Sequence, residues 1–244
     1  MISYKPMSDK PSVRSPWFWV PSLYFAQGIP YVAVMIVSVL MYKRLGVSNT
    51  DIALYTSWLN LPWVIKPFWS PFVDLLKTKR WWVATMQLLI GAGLAGVAFT
   101  IPTTFFFQAS LAVFWLLAFS SATHDIAADG FYMLALDSHE QAFFVGIRST
   151  FYRIAIIAGQ GVLVMFAGFL ENSTGNIPLA WSVTFFILGG LFLALFLYHR
   201  YILPLPKGDK PSATVTPSTI LKEFFATFAS FFKKKQAFVA ILFM

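Results

Sequence analysis

The chain has 244 residues, is 58% hydrophobic and 11% charged, and contains no cysteine. A soluble domain carries about 25% charged residues, so the composition excludes a soluble globular protein; the missing cysteine excludes disulfides, thiolate metal sites and thiol nucleophiles. The net charge of +8 does not mark a nucleic-acid binder, because the basic residues cluster between long apolar runs, as membrane topology demands.

In chain order, residues 1–16 read as a short polar cytoplasmic tail without a cleavable signal, and the first apolar run serves as its own uncleaved signal. A spanning helix needs about 20 mainly apolar residues. Six such segments follow: helix 1 at 17–42, helix 2 at 51–75 with Lys66 inside it, helix 3 at 81–101, helix 4 at 104–136, helix 5 at 143–170 and helix 6 at 178–201. The uncharged stretch 81–123 is too long for one span, and Pro102 divides it. Strands are excluded, because an open sheet in lipid leaves backbone groups unpaired, and the alternating segments of a barrel are missing. The fold class is therefore an all-α polytopic membrane protein, with residues 17–201 as a six-helix bundle.

With the N-terminus inside, 14 lysines and arginines fall on inner segments and only Lys43 and Arg44 on outer ones, which orients the chain with its N-terminus in the cytoplasm. Residues 202–236 form a Pro- and Lys-rich cytoplasmic linker. Within it, Leu221, Phe224, Phe225, Phe228, Phe231 and Phe232 recur at helical spacing beside Lys222 and Lys233 to Lys235. This stretch is expected to be an amphipathic helix, lying on membrane lipid or packed beneath the spans. Residues 237–244 read as the opening of a seventh span, too short at about 12 Å to cross a core of about 30 Å. The expectation is a truncated chain or gene fragment. Six spans, a long basic loop and a seventh span match the layout of the first half of a major facilitator transporter, built from inverted three-helix repeats.

Four charges fall inside the spans. On a 1.5 Å rise per residue, Asp125 lies about 16 Å and Asp129 about 10 Å before the inner end of helix 4, Lys66 about 12 Å before that of helix 2, and Arg153 about 15 Å into helix 5. Two acids and two bases at one depth can neutralise each other, and unpaired charges there cost several kcal/mol, so they face the bundle interior or a water-filled cavity. Asp125 and Asp129 are four residues apart and share a helix face, a pair suited to proton coupling. Two alternatives stand beside this one: an ion-paired latch that only holds helices together, and a helix 4 that ends at Thr123, leaving HDIAADG (124–130) as a loop.

Gln27 and Tyr31 share a face of helix 1 beside Gly28 and Pro30, and with His124 and Gln160 they are substrate-binding candidates; each has a packing alternative. Small residues at Ala92/Gly96 and in GQG (159–161) allow close helix approach. A metal site from His124, Asp125, His139 and Glu140 matches no ligand spacing, and no cofactor is expected. The NST at 172–174 is a sequon in a very short outer loop and is treated as chance.

YFAQGIPY (24–31), KPFWSPFVD (66–74), SSATHDIAADGF (120–131) and YRIAIIAGQG (152–161) together resemble the AmpG-type muropeptide permeases of the major facilitator superfamily, whose eukaryotic relatives include acetyl-coenzyme A transporters. The resemblance covers about 17–200. It implies proton-driven import of anhydro-muropeptides across the inner membrane, with Lys66, Asp125, Asp129, Tyr152 and Arg153 at the family's motif positions, Tyr152 joining the substrate candidates, and Asp74, Lys79 and Arg80 in a gating loop. It also implies a small-molecule substrate, a missing C-terminal half as partner and no enzymatic activity. Three departures stand out: Asp74-Leu75 in place of Asp-Arg, His124 in place of Gln, and Glu140-Gln141 in place of Glu-Arg. A transporter of another sugar or nucleotide conjugate, such as acetyl-CoA, and a non-transporting membrane fragment are the competing readings.

Overall fold

The computed structural model describes residues 15–210, with Ala226 and Ser230 beyond them. Ala226 and Ser230 are helical and exposed. Most of the 1–16 tail, the rest of the amphipathic stretch and residues 237–244 lie outside the described residues. Among the described residues all regular structure is helical. Five helices are long and apolar enough to cross a membrane: α1 (Pro16–Arg44), α3 (Lys79–Thr100), α4 (Phe106–Ala135), α5 (Ser138–Thr174) and α6 (Ile177–Ile202). The chain is an all-α polytopic membrane protein.

The segment 49–76, α2, is not one helix. It consists of Asn49–Thr56, Leu61–Ile65 and Ser70–Leu76, joined by 3-10 turns at Ser57–Asn60 and Lys66–Phe68. Pro62, Pro67 and Pro71 each stand in the first turn of a new piece. Proline lacks the N–H that a helix interior needs and is tolerated at a helix start, so three closely spaced prolines divide the span. Lys66 opens one of these turns and does not itself cause the break.

The helices alternate in direction between two ends. At one end the Tyr198 hydroxyl donates to the Phe18 carbonyl, and Arg80 to the Arg200 carbonyl. At the other, Tyr42 shares a 2.8 Å hydrogen bond with Ser110, while Arg44 donates to Glu171 at 2.5 and 2.9 Å. Trp181 donates to the remaining Glu171 oxygen at 2.7 Å, closing α1, α5 and α6 together. α1 is the most enclosed helix; α5 is the least.

α1 survives Pro30 in its interior by widening one turn later into a π-helical segment, Ala33–Val37. α5 carries its own π segment, Gly159–Leu163, and the two bulges touch. Contact is possible because both helices thin their surfaces: a Cβ on Gly28 would sit 2.7 Å from Ala155 Cβ, and one on Gly159 only 2.2 Å from Val32 Cγ1. Gly91 and Gly189 play the same part between α3 and α6. Gly96 and Gly161, expected in this role, meet only ordinary contact and open space respectively. Gly159→Ala should therefore overpack the α1–α5 seam and cost about 1–3 kcal/mol, whereas Gly161→Ala should be close to neutral. Thermal unfolding of the two variants in detergent checks this, and equal midpoints would refute it.

α5 begins at Ser138, five residues earlier than hydropathy indicates. Asp137 is its N-cap and forms a capping box with Glu140, so Glu140-Gln141 lies in the first turn and not in a loop. Gln141 then donates to the Met133 and Leu136 carbonyls at 3.1 and 2.9 Å, satisfying the last turn of α4. The Asn172 sequon falls in the last turn of α5, before Gly175 at φ 65°.

Candidate functional site

HDIAADG is helical throughout, within α4. Its residues divide by direction around the helix. Asp125 is buried and faces α2: Lys66 Nζ lies 3.9 Å from its Oδ2. The turn carrying Lys66 is held on α4 by Trp69, which donates to Thr123 Oγ1 at 3.2 Å and packs on Phe119 at 5.5 Å. Gln27 and Trp63 flank the same carboxylate. Asp125 Oδ1, Gln27 Oε1 and Trp63 Nε1 are all buried without a hydrogen-bond partner among the described residues. Buried polar atoms are ordinarily paired, and the polar side chains that stand beside this carboxylate are those of Gln27 and Trp63 themselves. Tyr31 packs edge-on against Trp63 at 5.2 Å, one turn beyond Gln27.

Asp129, one turn along α4, belongs to a second cluster. It accepts from the Tyr24 hydroxyl at 2.9 Å and from Arg148 Nη1 at 3.4 Å, while Arg148 also donates to the Tyr24 hydroxyl at 3.1 Å. The guanidinium lies 5.0 Å from the Tyr24 ring centroid and 5.1 Å from that of Tyr132, a contact worth about 0.5–1 kcal/mol per ring at partly exposed sites. In the sequence reading Arg148 is one of the 14 basic residues counted on inner segments, not one of the four charges placed deep inside the spans. Arg153, expected to balance an aspartate, is exposed and forms no ion pair among the described residues. The signal that would have found Arg148 is the Asp137–Glu140 capping box, which sets the start of α5 and puts Arg148 about 15 Å inside it.

A cavity of about 400 Å³ opens beside this cluster. α1 contributes Tyr24 and Gln27, α4 Asp129, and α5 Arg148, Ser149, Tyr152 and Arg153. Of the substrate candidates, Gln27 and Tyr152 line it. Gln160 is exposed on the α5 π segment and does not line it. His124 also stands apart, fully buried on the far side of α4. There it joins a polar chain: Ser22 Oγ lies 3.0 Å from His199 Nε2, His199 Nδ1 3.0 Å from Gln87 Oε1, and Gln87 Nε2 3.0 Å from His124 Nε2. The expected contact of His124 with substrate is thus replaced by a link among α1, α3, α4 and α6. Neutral tautomers account for these three bonds, with His199 donating from Nδ1 and His124 accepting at Nε2, and leave His124 Nδ1 buried without a partner among the described residues.

Of the three residues expected in a gating loop, two are joined directly and Arg80 turns instead to the Arg200 carbonyl. Lys79 pairs with Asp74 and is buried across Gly130, where a Cβ would sit 2.8 Å from Lys79 Cε. Asp209, from the linker, accepts from the backbone N–H groups of Lys79 and Arg80 at 2.6 and 3.0 Å, adding a carboxylate to an α3 N-terminus already capped by Thr78. Asp209→Ala should cost about 1 kcal/mol. Thermal melting checks this, and a midpoint equal to that of the parent chain would show that Thr78 alone suffices.

The family model for the BT1 family matches residues 25–243. The chain belongs to the BT1 family. Among BT1-like relatives, it is 27% identical over 234 residues to the putative transporter AmpG 4 of Rickettsia conorii, covering 90% of this chain and 53% of that protein. It is 24% identical over 228 residues to the anhydromuropeptide permease of Escherichia coli K12, covering 90% of this chain and 43% of that protein. The chain thus spans about half the length of these curated relatives. Membership in the BT1 family and five long apolar helices make this an integral membrane protein, similar over about half their length to proteins named as a transporter and a permease.

Proposed function

We propose that this BT1-family chain supplies one half of a proton-coupled importer of muropeptide-like solutes, seated in the inner membrane with its N-terminus in the cytoplasm. The observation that carries the reading is the adjacency of a buried acid, Asp125, one of whose oxygens has no partner among the described residues, to a charged cavity walled by Asp129 and Arg148. The four charges Lys66, Asp125, Asp129 and Arg148 sum to zero when ionised. One proton on Asp125 therefore leaves a net cation, to hold an anionic substrate group or to let its helix move. Arg153 adds a further cation to the wall, which suits the carboxylates of a peptide-bearing sugar. Gln27 and Tyr152 supply hydrogen bonds for orientation.

The relatives are about twice as long, which supports a second unit of similar size as the partner against which this bundle rocks. The test is uptake of labelled anhydro-muropeptide by proteoliposomes holding this chain with that partner. Accumulation driven by an inward proton gradient and collapsed by a protonophore is expected. Uptake indifferent to the protonophore would overturn proton coupling, and no saturable uptake would overturn the substrate class. Acetyl-CoA as competitor separates the nucleotide-conjugate reading. By contrast, His124→Gln should leave solute preference unchanged, because His124 does not reach the cavity; a changed preference would place it in the site.

A further inference from the structure

A second cavity, of about 510 Å³, lies between α3 and α6 at the end of the bundle that carries the linker. It is separate from the Asp129–Arg148 cavity, and the transport reading does not use it. Its rim is basic: Arg80 and Arg200 both line it. Arg80 is held in place by its bond to the Arg200 carbonyl. The Arg200 side chain is exposed and engages no other described residue. Asp209 also lines the rim, its oxygens turned to the Lys79 and Arg80 N–H groups; with Arg80 and Arg200 the lining keeps one positive charge in excess. Trp81 and Tyr201, both exposed, flank the rim, as aromatic residues do at a membrane–water boundary.

Away from the rim the wall turns apolar, through Ala84, Leu88 and Phe196. Leu88 is eight residues beyond Arg80, so the cavity runs about 12 Å along the helices from its charged end. A free phosphate would use only the rim. A molecule that uses the whole cavity has an anionic head and a hydrocarbon tail lying along the helix axis.

We propose that this cavity is a binding site for an anionic phospholipid, with the headgroup phosphate between Arg80 and Arg200 and an acyl chain along Leu88 and Phe196. Basic pockets between membrane helices recognise such headgroups through the same charge-assisted bonds. The lipid fills the α3–α6 groove where the linker meets the bundle, so its occupancy stabilises that corner.

The test uses the full chain in phosphatidylcholine nanodiscs containing increasing fractions of phosphatidylglycerol. Retained lipid is read by native mass spectrometry and stability by thermal melting. Phosphatidylglycerol should be retained selectively and should raise the melting midpoint. Arg200→Gln should lower retention about fivefold, the change one near-surface cation carries, and Arg200→Lys should restore most of it. Leu88→Gln, which leaves the rim intact, should also lower retention. Glycerol phosphate should neither compete nor protect. Retention unchanged in a folded Arg200→Gln protein would overturn the site. Equal protection by glycerol phosphate, or no effect of Leu88→Gln, would overturn the lipid assignment in favour of a simple anion.

Discussion

On the proposed function, Asp125→Asn is expected to abolish concentrative, proton-driven uptake while leaving substrate exchange measurable. Asp125 is the acid to alter because it is the more buried of the pair and has an oxygen with no hydrogen-bond partner among the described residues. Its only ion-pair contact among the described residues, Lys66 at 3.9 Å, is long for a hydrogen bond, so a proton can replace that attraction without dismantling a tight pair. Asparagine keeps the shape and the contacts of Gln27 and Trp63 but cannot exchange a proton. Without the exchangeable proton, uptake only equilibrates the solute, and the pH dependence of accumulation disappears. The latch reading makes a different forecast: Asp125→Asn would weaken folding and leave accumulation per folded molecule, and its pH profile, unchanged. Uptake normalised to folded protein decides between them.

Asp129→Asn and Arg148→Gln should each lower stability by about 1–2 kcal/mol, and the double variant should recover most of that loss. Removing one partner leaves the other charge beside the Tyr24 and Tyr132 rings without its counter-charge, and a charge-assisted hydrogen bond is worth about 1.5–3 kcal/mol before solvent screening. Both side chains are about one-third exposed, at 31% and 38%, so screening trims the figure. Removing both charges removes the mismatch. Arg153→Gln in the same assay should leave stability unaltered, since Arg153 has no ion pair among the described residues, while weakening uptake of an anionic solute. Strict additivity of the Asp129 and Arg148 losses would show that the two residues do not act as a pair.

These expectations depend on which parts of the site are readable from sequence. The depth of Lys66, Asp125 and Asp129 follows from counting residues along apolar runs. The placement of Arg148 does not, because the α4–α5 connection is only two residues long and hydropathy cannot see a helix start made of Ser138, His139 and Glu140. The local chemistry of Asp137 and Glu140 does reveal it. His124 shows the opposite case: its depth is readable, but one position from Asp125 along a helix is about a quarter-turn or more of rotation. That rotation carries it from the α2 side to Gln87 and His199. The departure from the permease motif at His124 therefore sits in a helix-to-helix link and not on the cavity wall.

By itself the sequence determined the membrane class and the order of the apolar helices, because hydropathy and helix length are sums over neighbouring residues; that α4 passes through HDIAADG, which the sequence left open against an ending at Thr123, came from the structure. The sequence also determined that two acids share one face of α4, since the helical repeat is local. Only the tertiary structure decided which cation meets which acid, that Asp209 folds back onto the α3 N-terminus, and that α2 runs in three pieces beside α4. Those outcomes depend on how far each helix is rotated and how closely it approaches its neighbours. That is set by Gly28 and Gly159, by the paired π bulges and by the α2 prolines acting together across the bundle, and no short stretch of chain contains both sides of such a contact.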